Sequence, residues 1–377
     1  MYIVVLSIKR LWVGNFIFLK IINGYMALQG GFLDPPPKTY FTKLGEPITP
    51  PVGYVDGVSF TSDGTYLAVG HVSSPFITIY KKSEDVFTKL DNPATLPAGT
   101  VESVSFTSDG TYLAAAHQIT PFVTIYKRSG DVFTKLDDPD VLPTGNGYSA
   151  SFNSDGTYLA IGHLNSPYIT IYKRSGDVFT KLDDPDVLPD GLAFGVSFTS
   201  DGTYLATAGL GLTVSRFVTI YKRSGDVFTK IVGQPNILPS YPAYGVSFVP
   251  DGTYLAVADG LSTQGIVIYK RSGDTFTKII GVPQPPDSGY GVSFTLDGIY
   301  LALAHTGSPY VTVYERSGDT FTKLGNPDVL PGGDSVGASF TSDGTYLAVA
   351  SSPNALPIYK FFIPPPSAGT FSMDDPL

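Results

Sequence analysis

The sequence contains no cysteine. That excludes a disulfide framework, a thiolate nucleophile and thiolate metal ligands, and it leaves the chain compatible with either redox compartment. Its single tryptophan, Trp12, lies outside the part that repeats. Charged residues make up only 15%, and the balance is acidic, with a net charge of −9. Nucleic-acid binding draws most of its affinity from basic patches, so this balance argues against such a partner. No uncharged apolar run reaches the roughly 18–20 residues of a membrane span, because Lys9, Arg10 and Lys20 interrupt the stretch from Tyr2 to Ile22. Walker loops and HExxH are both missing. No short segment gathers the oxygen ligands of a calcium loop, so neither metal nor cofactor is expected.

What the chain does have is one phrase, repeated. Ser59-Phe-Thr-Ser-Asp-Gly-Thr-Tyr-Leu-Ala68 recurs almost unchanged, with its Asp at 63, 109, 155, 201, 251, 297 and 343. The spacings are 46, 46, 46, 50, 46 and 46 residues. A fixed period of that size marks a stacked or radial repeat. Each period holds four strand-like pieces rich in β-branched and aromatic residues. In the first these are Val58-Ser-Phe60, Thr65-Tyr-Leu-Ala-Val69, Phe76-Ile-Thr-Ile-Tyr80 and Asp85-Val-Phe-Thr-Lys-Leu90. Ser-Asp-Gly and Lys-Arg-Ser-Gly-Asp join them, with the turn chemistry that tight hairpins need. No helical periodicity competes.

Four short antiparallel strands per period is the pattern of a propeller blade. The seventh unit lacks its Phe-Thr-Lys-Leu strand, and that strand stands ahead of the first unit at residues 40–44. The expected fold is therefore all-β: a seven-bladed β-propeller of four-stranded antiparallel blades, closed by an N-terminal strand completing the last blade. Closure of this kind removes the ring's open edges.

Over about residues 38–360 the chain resembles the WD40-like β-propeller families, on the phrase Ser-Phe-x-Ser-Asp-Gly-Thr-Tyr-Leu-Ala. It departs from them where their third strand ends in Trp-Asp. Here the pairs are Tyr80-Lys81, Tyr126-Lys127, Tyr172-Lys173, Tyr221-Lys222, Tyr269-Lys270, Tyr314-Glu315 and Tyr359-Lys360. That departure puts the family's structural hydrogen-bond tetrad in doubt. The near-identical Ile-Thr-Ile-Tyr-Lys-Arg-Ser-Gly-Asp blades are similar to propeller proteins of bacterial and phage or prophage genomes. The resemblance implies a virion, tail-associated or extracellular setting.

Residues 1–25 differ from the rest. Their charge is central rather than leading and no small-residue cleavage site follows, unlike a signal peptide. The expectation is that translation starts at Met26, with a membrane-associating helix as the alternative. Residues 26–37 then form a linker, stiffened by Pro35-Pro-Pro37. Residues 38–360 form one propeller, and 361–377 a C-terminal tail, flexible from Ser367.

Two sets of residues are candidate sites. Four residues before the first-strand Phe, the blades carry Asp56, Glu102, Tyr148, Phe194, Tyr244, Tyr290 and Val336. The first strand of a propeller lines the channel, so this ring places four aromatics, an aliphatic and two acids at its mouth. Aromatics beside carboxylates suit sugar rings, or an anchor of a protein partner. Packing between blades is the bland alternative. The second set is His71, His117, His163 and His305, with Asp259, Gly209 and Ser351 in the other blades. These end the second strand on the face where the loops vary, and a hydrogen bond to a neighbouring loop explains them more simply than metal ligation. The Ser-Asp-Gly and Lys-Arg-Ser-Gly-Asp turns scarcely change from blade to blade. The Lys-Arg pairs read as solvated turns.

A scaffold copied faithfully with one face diversified reads as a binding surface on a rigid frame. The expected function is a non-enzymatic binding or adaptor propeller recognising a surface glycan or a protein, with incorporation in a larger assembly compatible. A structural spacer subunit is the first alternative. A propeller hydrolase or lactonase is the second, since only Asp56 and Glu102 supply acids to the ring.

Overall fold

The computed structural model describes residues 19–22, 25–28, 41–212, 217–232, 235, 238, 239, 241–260 and 264–361. Residues 1–38 form a unit of their own. Within it Leu19–Ile22 and Tyr25–Leu28 pair antiparallel, with Ile22 opposite Tyr25. Strand pairing stands there in place of the helix alternative. Asn23-Gly24, between the two strands in sequence, is the strongest short-range hairpin signal. The expectations for residues 1–18, for the Pro35-Pro-Pro37 spacer and for the tail beyond residue 361 lie outside the described residues.

The second unit is a seven-bladed propeller. Each blade is a four-stranded antiparallel sheet. In blade 1 the strands are Val55–Phe60, Tyr66–His71, Ile77–Ser83 and Val86–Lys89, from the innermost outward. Blade 7 takes Ser335–Phe340, Tyr346–Ser351 and Ile358–Phe361 from the C-terminal end and Phe41–Lys43 from the N-terminal end. Phe41 pairs with Phe361 and Lys43 with Tyr359, so the expected clasp closes the ring. Phe361 belongs to this sheet rather than to the tail.

The apolar core is divided into seven clusters, one at each seam between adjacent blades. The second strand explains this. Its side chains alternate between faces, and both faces are covered. Tyr66 and Ala68 pack towards blade 2, while Leu67 and Val69 pack towards blade 7. A strand buried on both faces reads as a continuous apolar run, and Tyr-Leu-Ala is such a run.

Polar residues of the repeat join the blades as well. The Asp63 carboxylate accepts bonds from the Thr61 hydroxyl at 2.6 Å and the Thr65 amide at 2.9 Å. Gly64 follows at φ +67°, a conformation that favours glycine. The first-strand Ser of one blade accepts from the Phe amide of the next: Ser59 from Phe106 at 3.2 Å, and at ring closure Ser339 from Phe60 at 3.2 Å. The innermost strand would otherwise leave those amides unpaired.

The Lys-Arg-Ser-Gly-Asp turn is exposed, as expected of a solvated turn, and it also clamps one blade to the next. Asp131 of blade 2 accepts from the Tyr66 hydroxyl at 2.6 Å and pairs with Lys81 at 2.9 Å, both from blade 1. The Arg128 guanidinium lies 4.6 Å from the centre of the Tyr66 ring. Lys360, Tyr346 and Asp85 repeat the arrangement where blade 7 meets blade 1. At the seam of blades 6 and 7 the equivalents of Asp131 would be Thr39 or Pro364, neither of them acidic, and there the lysine is replaced by Glu315. The charge pattern follows the seam.

Candidate functional site

The seven channel-mouth residues share one backbone device. Between the first and second strands of every blade the register slips by one residue. In blade 1, Val55 pairs with His71 and Gly57 with Gly70, which leaves Asp56 as the extra residue. In the others it is Glu102, Tyr148, Phe194, Tyr244, Tyr290 and Val336. A β-bulge breaks the pairing locally and re-aims one side chain. All seven line a single central cavity of about 200 Å³. The structure thus brings the whole first candidate set together.

The channel is narrow because small residues follow the bulge. A Cβ on Gly57 would stand 2.9 Å from the Glu102 carbonyl oxygen, and one on Gly337 would stand 2.8 Å from that of Asp56. A Cβ on Gly245 would overlap the Tyr290 carbonyl oxygen. Gly245→Ala is therefore expected to destabilise the propeller by about 1–3 kcal/mol, because backbone of the next blade must yield. Chemical denaturation checks this, and an unchanged midpoint would contradict the close approach.

The aromatics form an arc. Ring centres are 5.2 Å apart for Tyr148 and Phe194, 5.1 Å for Phe194 and Tyr244, and 4.8 Å for Tyr244 and Tyr290, the last pair stacked at 22°. The faces of Phe194 and Tyr244 are thus covered by neighbouring rings, and the arc is at once inter-blade packing and channel lining. The two acids complete the circle from adjacent blades. Burial first, and the charge of Glu102 second, push the Asp56 carboxyl up to about 7. Glu102 is raised by burial as well, opposed by a hydrogen bond that it accepts from the Gln118 amide. Burial and the nearby Glu102 charge likewise raise the Tyr148 phenol. Among the described residues no donor reaches Asp56, and no group of three or more His, Cys, Asp or Glu could hold a metal ion.

The second candidate set is placed differently. His71, His117, His163, His305 and Asp259 have no exposed surface. In the four histidines Nε2 lies 2.9–3.0 Å from the hydroxyl of a threonine on the third strand: Thr78, Thr124, Thr170 and Thr312. The Nδ1 atoms of His71 and His305 lie 2.8 Å from the Ser73 and Thr306 carbonyl oxygens. A carbonyl only accepts, so in these two Nδ1–H donates and Nε2 accepts from threonine. The four histidines thus fasten the second strand to the third within their own blade. The repeats carried a trace of it: where Asp259 and Ser351 replace histidine, Val267 and Pro357 replace the threonine.

The variable face is also narrower than expected. The loops His71-Val-Ser-Ser-Pro-Phe76, His117-Gln-Ile-Thr-Pro-Phe122, His163-Leu-Asn-Ser-Pro-Tyr168 and His305-Thr-Gly-Ser-Pro-Tyr310 share one backbone, a cis X-Pro bond followed by an aromatic at φ between 66° and 69°. Variation is concentrated in blades 4, 5 and 7. The extra length in blade 4 lengthens its first two strands, Gly191–Phe198 and Tyr204–Gly211.

No protein-family model and no curated protein sequence matches the chain. Solved structures do. A chain of Kuenenia stuttgartiensis hydrazine synthase superposes with a TM-score of 0.63 at 13% identity, covering 85% of this chain and 99% of that one. The β-propeller domain of Myceliophteria thermophila Cps50 (Swd1) gives 0.62 at 14%, covering 85% and 100%. At such identity the likeness is one of fold alone. The fold is consistent with a binding or scaffold role. Among the described residues no helix is long and apolar enough to cross a membrane.

Proposed function

We propose that the protein is a binding propeller that recognises a partner, a protein or a surface glycan, at the mouth of its central channel. One observation carries the reading. The bulge aims one residue per blade into a common cavity, and that residue runs from Asp to Glu to aromatic to Val around the ring, while the Ser-Asp-Gly phrase that follows it scarcely changes. Seam contacts account for the constancy of the Ser-Asp-Gly phrase and of the Lys-Arg-Ser-Gly-Asp turn. Nothing in them requires variety at the bulge, and a uniform aliphatic would pack the ring as well.

The test is a screen of the full chain on arrays of bacterial surface polysaccharides and peptides. A Tyr244→Ala/Tyr290→Ala variant runs in parallel, with its fold checked by thermal melting. Saturable binding that the folded variant loses supports recognition at the mouth. Binding kept by the variant moves the site elsewhere.

The acid pair favours a second reading, that of a hydrolase. Two neighbouring carboxyls, Asp56 raised to about 7 by burial and by the charge of Glu102, are the kind of pair between which acid and base roles can be divided. Turnover of ester or glycoside substrates that disappears in Asp56→Asn would establish it.

A further inference from the structure

The charge of the channel mouth has no internal complement. Asp131 and its equivalents are matched by lysines across six of the seven seams, and Asp63 by its threonines. Asp56 and Glu102 instead sit in a cavity whose lining contains no Lys, Arg or His. Glu102 has only the Gln118 amide, and no donor among the described residues reaches Asp56. The rest of the circle is four aromatics and Val336, and ring faces carry negative potential. Two half-buried carboxylates without a counter-charge cost free energy that a positive group entering the mouth would recover.

We propose that the mouth takes a lysine or arginine side chain of a protein partner, with its ammonium or guanidinium seated between Asp56 and Glu102 and its stem along the aromatic arc. This rests on the binding reading above and names its ligand. The chemistry favours an organic cation over a metal ion, because two carboxylates flanked by rings do not supply the six to eight oxygens of a calcium site. It favours a side chain over a sugar, because Phe194 and Tyr244 spend their faces on each other and leave no flat platform for a pyranose. A cavity of about 200 Å³ matches one extended side chain. Guanidinium adds a second fit: its planar fork can bond both carboxylates while resting against a ring.

The experiment uses the full chain and four probes: Nα-acetyl-arginine amide, Nα-methyl-lysine amide, Nα-acetyl-citrulline amide and glucosamine. Binding is read by calorimetry and by the tyrosine absorbance of the arc. Citrulline keeps the shape of arginine without its charge. The expected result is saturation by the arginine or the lysine probe, at least about tenfold weaker binding of citrulline, and a similar loss in Asp56→Asn and Glu102→Gln, a factor equivalent to 1.4 kcal/mol. Both variants are isosteric and relieve a desolvated charge, so they should fold, and melting curves check it. Citrulline binding as tightly as arginine would overturn the proposal. So would unaltered affinity in both variants, preference for glucosamine, or no saturation by either cationic amino acid. If arrays still detect a glycan or neutral peptide lost in Tyr244→Ala/Tyr290→Ala, recognition at the mouth stands and only the cation is refuted.

Discussion

Replacing Phe41 with alanine is expected to lower the stability of the whole ring by about 3–5 kcal/mol, and deleting residues 39–46 to lower it further. Phe41 is fully buried although its strand is only three residues long. Its ring meets Tyr359 edge-on at 5.6 Å and stacks with Phe361 at 5.8 Å. With Tyr300, Leu347 and Val349 it forms the core of the seam between blades 6 and 7. Two further bonds hold the strand: the Lys43 amide donates to Asp328 at 2.9 Å, and the Leu44 amide to the Ile358 carbonyl at 2.8 Å. That seam is also where the Lys–Asp clamp cannot form, because the turn that would carry its Asp is where the chain's two ends meet. Loss of Phe41 therefore acts at a seam that lacks the Lys–Asp clamp. Urea denaturation of the variant and the deletion measures the effect. A midpoint equal to that of the intact chain would show that the clasp contributes nothing.

Acidification should unfold the propeller through its histidines. Burial lowers all four, and brings His117 and His163 to about 4. In an unfolded chain they titrate near 6.5. Between those values the unfolded chain binds more protons. The stability that neutral histidine contributes is therefore complete above about pH 6.5 and lost as the pH falls towards 4. For His117 and His163 the loss approaches about 3 kcal/mol each. Asp56 runs the other way. Its folded value near 7 lies above that of a free carboxyl, so folding gains from its protonation as the pH drops. The histidines outnumber it, and the net slope is towards instability in acid. Stability measured at pH 7 and pH 4.5 tests this in a His117→Leu/His163→Leu variant with Thr124→Val and Thr170→Val, the valines following Val267 at the equivalent position of blade 5. The variant should lose clearly less stability on acidification than the parent. Equal losses would remove the histidines from the account.

Much of the fold was legible in the repeat. Asp-Gly at a constant period, β-rich pieces of fixed order and a displaced Phe-Thr-Lys strand were enough for seven blades and a clasp. Such features are local or periodic, and sequence displays both. The seam contacts were not legible. Tyr66 and Asp131 are 65 positions apart and belong to different blades, so nothing local announces that the charged turn closes on a neighbour. The histidines were legible in part: a hydrogen bond to a loop was expected and His71 and His305 make one, but their full burial was not foreseen. Strand ends suggest surface, yet the third strand covers these, and only its threonine gave a hint.

By itself, then, the sequence determined the number of blades, their strand order, the closure of the ring, and a position whose chemistry changes around it. Periodicity determines these because each blade is one unit that cannot bury its faces alone and must stack on the next. Only the tertiary structure decided where that varying position points. An alternating strand pattern assigns each residue to one face or the other. A bulge breaks that alternation, and here it does so once per blade, at the residue that the channel needs. The structure also decided that the aromatics face one another and that the two acids lack a counter-charge. Both depend on blades meeting around an axis, a distance relation that no single repeat contains.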